Sequence, residues 1–127
     1  LFRNNYKRGL ANYLYRINLG STVEMPFTKF KEKSAFHLFP ILLPVGADRQ
    51  AFQEYMNEQG IQTSIHYPPI HLFSYYKNRY PIDHDLPITE DYAAREVTLP
   101  LYPTITNEQI EFVCEHVKKG LEIARGS

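Results

Sequence analysis

One cysteine, no tryptophan and no excess of either charge mark what this chain of 127 residues goes without. Cys114 alone cannot close an intrachain disulfide, and its place on an apolar helical stripe reads as a reduced, buried thiol suited to a cytoplasmic setting. Lysine plus arginine equals aspartate plus glutamate at 14 each, so no global field recruits nucleic acid or an anionic membrane. No apolar run approaches the ~18 residues of a membrane span, and Leu1-Phe2-Arg3-Asn4-Asn5 has no signal-peptide core. None of the six glycines falls in a Gly-x-Gly-x-x-Gly or phosphate-loop pattern, and no Gly-x-Ser-x-Gly elbow is present. Dinucleotide loops and serine-hydrolase chemistry are excluded on that ground.

What is present belongs to a globular domain: 43% hydrophobic and 22% charged residues argue against disorder and against a fibre. A chain of this length that folds alone buries roughly two-thirds of its unfolded surface. Ten tyrosines and eight phenylalanines supply more amphipathic surface than an isolated core needs, as in a domain packed against a partner. A start at Leu1, mid-pattern in a helix, reads as a piece of a longer polypeptide, and Gly126-Ser127 reads as a cloning scar.

Phe2, Tyr6, Leu10, Tyr13 and Leu14 recur at helical spacing up to a stop at Gly20, which predicts one amphipathic helix. Val23 to Met25 fits a short strand, and Lys29 to Ser34 an exposed charged turn. Ala35 to Pro44 is almost continuously apolar and predicts a central strand buried on both faces, with Pro40 at a bulge or edge. Asp48 caps a predicted helix over 49–59 that carries Phe52, Tyr55 and Met56 and ends at Gly60. Ile61 to Tyr67 alternates and predicts a strand with Ile61, Thr63, Ile65 and Tyr67 on one face and Gln62, Ser64 and His66 on the other.

Pro68-Pro69 ends that strand; His71 to Tyr80 fits a short helix or a packed loop, and Pro81 to Leu86 an exposed connection. Thr89 is the predicted cap of a helix through Ala93, Ala94 and Val97 that ends before Leu99-Pro100. Thr106 and Gln109 form a capping-box pattern ahead of a stripe of Ile110, Val113, Cys114, Val117, Leu121 and Ala124. The expected fold class is α+β: one domain over 1–127, with a small antiparallel or mixed sheet covered by helices.

The chemistry-bearing cluster is His66-Tyr67-Pro68-Pro69-Ile70-His71. As a metal site, His66, His71 and His84 have no recognised ligand spacing and no cysteine pair, so solvent-facing histidines are the better account. A nucleophilic triad on Ser64 or Cys114 lacks any group that would activate it. Two readings of the cluster stand side by side. In one, it is a strand-ending turn in which Tyr67 packs and His71 caps the next helix; in the other, imidazole and phenol on a proline-stiffened turn hydrogen-bond a ligand's phosphate or hydroxyl groups at little ordering cost.

Four pieces in order carry a family resemblance: Phe36-His37-Leu38-Phe39-Pro40-Ile41, then Gly60 to Pro68 with His71 beyond, then Ala94 to Pro103, then the capped helix at Thr106. Together they resemble the C-terminal domain of the DegT/DnrJ/StrS-type sugar aminotransferases, pyridoxal-phosphate enzymes that aminate keto-sugars carried on nucleotides. Residues 1–19 resemble the helix that leads from the large domain of such an enzyme, and 20–125 its small α+β domain. The commonest form of the family motif has one more residue before the second histidine, and often a glutamine after it. The shorter Pro69-Ile70-His71-Leu72-Phe73-Ser74 looks like a subgroup variant.

The resemblance implies a fold-type I enzyme whose Schiff-base lysine, pyridinium-pairing aspartate and most of the phosphate cup belong to a larger N-terminal domain. It implies no catalytic residue and no cofactor bound in this chain alone, and an inactive fragment. His66, Tyr67 and His71 are the implied substrate-binding residues, closing one side of the cleft over the nucleotide-sugar. The implied partners are the large domain, the nucleotide-sugar, an amino donor and a second copy in a homodimer, in the service of amino-sugar or polysaccharide biosynthesis. The alternative is a non-catalytic binding module that keeps the fold.

Overall fold

The computed structural model describes residues 1–29, 33–80 and 85–126. Half of the predicted Lys29–Ser34 turn (30–32), most of the Pro81–Leu86 connection (81–84, with His84) and Ser127 therefore lie outside the described residues; Lys29, Lys33, Ser34, Asp85 and Leu86 are exposed.

Helix α1 (Phe2–Leu19) stops at Gly20, whose N–H still bonds the Arg16 carbonyl and whose positive φ of 52° then turns the chain out of the helix. Its apolar residues divide between two faces. Ala11, Tyr15 and Leu19 enter the core, whereas the stripe legible in the sequence, Phe2, Tyr6, Leu10 and Tyr13, stays exposed together with Ile17. Leu14 packs at the core's margin.

The predicted ten-residue strand shortens to β1 (Phe39–Leu42). It pairs antiparallel with β2 (Glu96–Leu99), Phe39 opposite Leu99 and Leu42 opposite Glu96. Pro40 has no N–H to give the ladder, and Phe36 takes a positive φ of 46° that no strand accommodates. A single bridge, Glu24 to Leu42, flanks β1, and another, Ser64 to Thr98, flanks β2. The sheet is thus two strands extended by one residue on each side, too little to stand without helices packed against it.

Those helices behave as their caps predict. The Asp48 carboxylate accepts the Ala51 N–H at 2.9 Å and starts α2 (Arg49–Glu58). Thr106 and Gln109 close a reciprocal capping box on α5 (Asn107–Ala124). Phe52 and Met56 of α2 and Ile110, Val117 and Leu121 of α5 are fully buried, each contributing about 1.5–3 kcal/mol by leaving water. Gly120 permits the close approach, since a Cβ there would lie 3.0 Å from the Phe52 ring. Tyr15 stacks on Phe39 with centroids 4.7 Å apart and donates its hydroxyl hydrogen to the Pro100 carbonyl at 2.7 Å, joining α1 to the sheet.

The middle of the chain departs from expectation in three places. Residues Ile61–Tyr67 make one bridge rather than a strand, because beyond Ser64 the His66 N–H goes to the Glu96 side chain instead of to a backbone carbonyl. Tyr67, on the same predicted face as the buried Ile61, is 70% exposed. Helix α4 (Pro87–Arg95) starts at Pro87, with Leu86 as N-cap and Thr89 inside the first turn, since proline's fixed φ suits the first helical position. It stops at Arg95, and Val97, expected in that helix, lies in β2. Burial of all four β2 residues makes strand pairing the better use of an apolar run. His71 to Tyr80 forms parts of a 3-10 turn (Ile70–Leu72) and α3 (Ser74–Arg79). Among the described residues, no helix is long and apolar enough to cross a membrane.

Candidate functional site

Gly60, at a φ of 75°, turns the chain out of α2, and buried Ile61 anchors the segment that follows. Ser64 and Thr98 then exchange both backbone hydrogen bonds, at 3.2 and 2.8 Å, which fixes the segment against β2. Two residues later the side chains take over. The His66 N–H donates to Glu96 Oε2 at 2.8 Å, His66 Nδ1 lies 2.9 Å from Thr98 Oγ1, and the Thr98 hydroxyl donates to Glu96 Oε1 at 2.5 Å. Glu96 and Thr98 share one face of β2 because strand side chains repeat every second residue. Glu96 is 1% exposed, a depth at which a carboxylate needs those two donors. The Tyr92 phenol beside it is raised above its ordinary value, by burial first and then by the Glu96 charge.

His66 stands where two cavities adjoin. The first, about 800 Å³, is walled by His37, Gln62, His66, Thr98, Tyr102 and the start of α5. The second, about 1200 Å³, runs along His66, Tyr67, Pro68 and Pro69 to His71, Tyr76, Tyr80 and α4. Tyr67 meets His66 edge to face at 4.7 Å and presents its other side to solvent. His71 reaches only the second cavity, where its Nε2 lies 2.9 Å from Glu90 Oε1. It does not cap α3, whose N-cap is Phe73 with no side-chain bond.

The structure therefore gathers His66, Tyr67 and His71 along one wall and adds three residues that sequence reasoning missed: Glu96, Thr98 and Glu90. A signal for the first two exists. Once Glu96-Val97-Thr98-Leu99 is read as a strand, the acid and the hydroxyl fall on the same face.

The chemistry on offer is neutral hydrogen bonding rather than anion capture. Among the described residues, neither cavity is lined by an arginine, and exposed Lys77 at the second is the one lysine on either wall. Cys114 is no nucleophile: burial pushes its thiol up to about 11, with Lys118 partly opposing and Glu111 adding.

The comparisons with known proteins agree with this architecture. The sequence model of the DegT/DnrJ/EryC1/StrS aminotransferase family matches residues 2–118. The chain belongs to this family. Its relatives include the dTDP-3-amino-3,6-dideoxy-alpha-D-galactopyranose transaminase of Aneurinibacillus thermoaerophilus, 32% identical over 117 residues, which are 91% of this chain and 31% of that protein. An uncharacterised protein of Methanocaldococcus jannaschii, MJ1066, is 35% identical over 98 residues, 74% of this chain and 25% of its own length. The crystal structure of S. venezuelae DesV in complex with a ketimine intermediate superposes with a TM-score of 0.82 at 26% identity, covering 94% of this chain and 32% of DesV.

The DegT/DnrJ/EryC1/StrS chain described here thus spans about a quarter to a third of the length of these relatives. It is a domain related to the nucleotide-sugar aminotransferases, whose members depend on pyridoxal phosphate. The side chains among the described residues do not fit that cofactor. Every one of their lysines is at least partly solvent-exposed, so none is a desolvated amine suited to carry a carbonyl group, and the described residues of the two cavity walls include no arginine or glycine-rich loop to cradle a phosphate.

Proposed function

We propose that this chain is the C-terminal domain of a pyridoxal-phosphate-dependent aminotransferase acting on a nucleotide-linked keto-sugar, and that it closes the substrate cleft. The observation that carries the reading is His66 on a stiffened turn between two adjoining cavities, with Tyr67 exposed beside it. Such concave sites with a few convergent polar groups form where domains meet. His66 and Tyr67 hold the sugar by hydrogen bonds, and His71, fixed by Glu90, shapes the far end of the second cavity. The relative from Aneurinibacillus thermoaerophilus, named for a dTDP-linked amino sugar, supports this substrate class.

The amine that holds the cofactor comes from the rest of the polypeptide, and the chain alone is inactive. Cofactor chemistry supplies the electron sink for moving the amino group; this chain positions the sugar and excludes water. The exposed stripe Phe2-Tyr6-Leu10-Tyr13 on α1 is the surface on which the large domain rests, within a cytoplasmic homodimer.

Two measurements test the reading. After gel filtration to remove loosely held cofactor, borohydride reduction of the whole protein with pyridoxal phosphate should fix about one equivalent covalently, whereas the 127-residue chain treated identically should keep far less than one; no fixation in the whole protein overturns the proposal. His66→Ala or Tyr67→Ala should raise the KM for the nucleotide-sugar about tenfold, as for a lost neutral hydrogen bond, and leave the KM for the amino donor unchanged. Unaltered sugar kinetics in both variants would remove this wall from the site.

A further inference from the structure

The hydrogen-bond chain behind His66 fixes more than the position of its ring. Thr98 has one hydroxyl hydrogen. As a carboxylate, Glu96 can only accept, and its Oε1 takes that hydrogen while its Oε2 takes the His66 N–H. The Thr98 oxygen is then left as an acceptor 2.9 Å from His66 Nδ1, so the neutral imidazole carries its proton on Nδ1. Its Nε2, which has no hydrogen-bond partner among the described residues, keeps a lone pair. We propose that Glu96 and Thr98 are positioning residues that lock His66 in this tautomer, making Nε2 an acceptor for a hydroxyl group of the ligand and not a donor to its phosphates.

Burial is what gives the lock its force. Glu96 and Thr98 are 1% and 5% exposed, so water competes little for either group, and an alternative proton arrangement would set two acceptors against each other in a low dielectric. Recognition by an acceptor selects a ligand with O–H groups over one with bare anionic oxygens, which an Nε2 lone pair repels. The inference rests on the proposed sugar-binding role of His66 for its ligand, but not for its tautomer.

The tautomer is read directly from 15N–1H correlation spectra of the histidine rings in the 127-residue chain at neutral pH. The expected result is His66 protonated on Nδ1. Glu96→Gln brings an amide that donates to Thr98 Oγ1, frees the hydroxyl hydrogen for Nδ1 and shifts the ring towards the Nε2-protonated form. Thr98→Val removes the preference, and Thr98→Ser preserves it. An Nε2 proton in the unaltered chain, or an unchanged ring in both Glu96→Gln and Thr98→Val, overturns the proposal; if Glu96→Gln does not fold, Thr98→Val decides.

In the whole enzyme, Thr98→Val should raise the sugar-nucleotide KM about tenfold, with Thr98→Ser restoring it, while inhibition by dTDP, which has phosphates but no hexose, stays unchanged. Equal weakening of dTDP would assign His66 to the phosphates and refute the hydroxyl. Because the ring spectra need no activity, an enzyme that fails to aminate any sugar would defeat the functional reading and leave the tautomer standing.

Discussion

Two glycines inside helices offer a test of how tightly this core is packed. Alanine in place of Gly9 in α1 or of Gly120 in α5 gains about 1 kcal/mol of helix propensity in either case. The surroundings differ. At Gly120 the new Cβ meets Phe52 Cδ2 and Cε2 at 3.0 Å and Tyr55 Cδ1 at 3.2 Å, and Phe52 is fully buried with no space to withdraw into. Overpacking of this kind costs about 1–3 kcal/mol. The net result is a loss of about 1 kcal/mol, which for a domain of this size lowers Tm by about 4 °C.

At Gly9 the new Cβ meets Phe36 Cε2 at 3.1 Å and Cδ2 at 3.3 Å, but Phe36 is only half-buried on a loop and turns aside. Gly9→Ala therefore keeps most of its propensity gain, and Tm rises by a few degrees. Thermal unfolding followed by circular dichroism, backed by urea midpoints, measures both. If Gly120→Ala stabilises as much as Gly9→Ala, Phe52 is mobile and the α2–α5 contact is not the close-packed seam described above.

Thr106→Ala removes half of the capping box on α5 and should cost about 1 kcal/mol, seen as a lower urea midpoint at constant slope; an unchanged midpoint would mean that solvent caps the helix equally well. Stability should also fall as pH rises from about 9 towards about 11, because burial raises the Cys114 thiol over that span and also raises the Tyr15 phenol. Both groups are held neutral in the folded state, so their contribution is complete below the unfolded values and is lost as the pH climbs through the folded ones. A urea midpoint that stays flat between pH 8 and 11 would refute this. By the same burial, a thiol reagent at pH 8 should label Cys114 only on the unfolding timescale, and immediate labelling of the native chain would show an open path to the sulfur.

What the sequence revealed of the fold was its locally coded part. Helices α2 and α5 announce themselves through Asp48, Gly60 and the Thr106–Gln109 pair, each acting within one turn of its own backbone. Strand β2 did not, because Ala93 and Ala94 prolong a helical pattern into Val97, and the pairing that makes Glu96–Leu99 extended comes from far away in the chain, from β1 on one side and Ser64 on the other. That error carried into the site. With Val97 placed on a helix, Glu96 and Thr98 had no common face, and the group behind His66 stayed out of view although His66 and Tyr67 were already singled out. Tyr67 leaves the face of Ile61 for a related reason: alternation continues in the sequence to position 67, but the ladder ends at Ser64, where the Glu96 carboxylate claims the next donor.

The core of this domain draws on Tyr15 and Leu19 near one end of the chain and Val117 and Leu121 near the other, and β1 must find its partner β2 beyond α2, α3 and α4. Such non-local pairing is slow to form. During synthesis, the core faces of α1 and β1 leave the ribosome well before β2 and α5, which pair with and pack against them, are made, so these faces have to remain unaggregated until then. Folding here waits for translation to pass the whole domain.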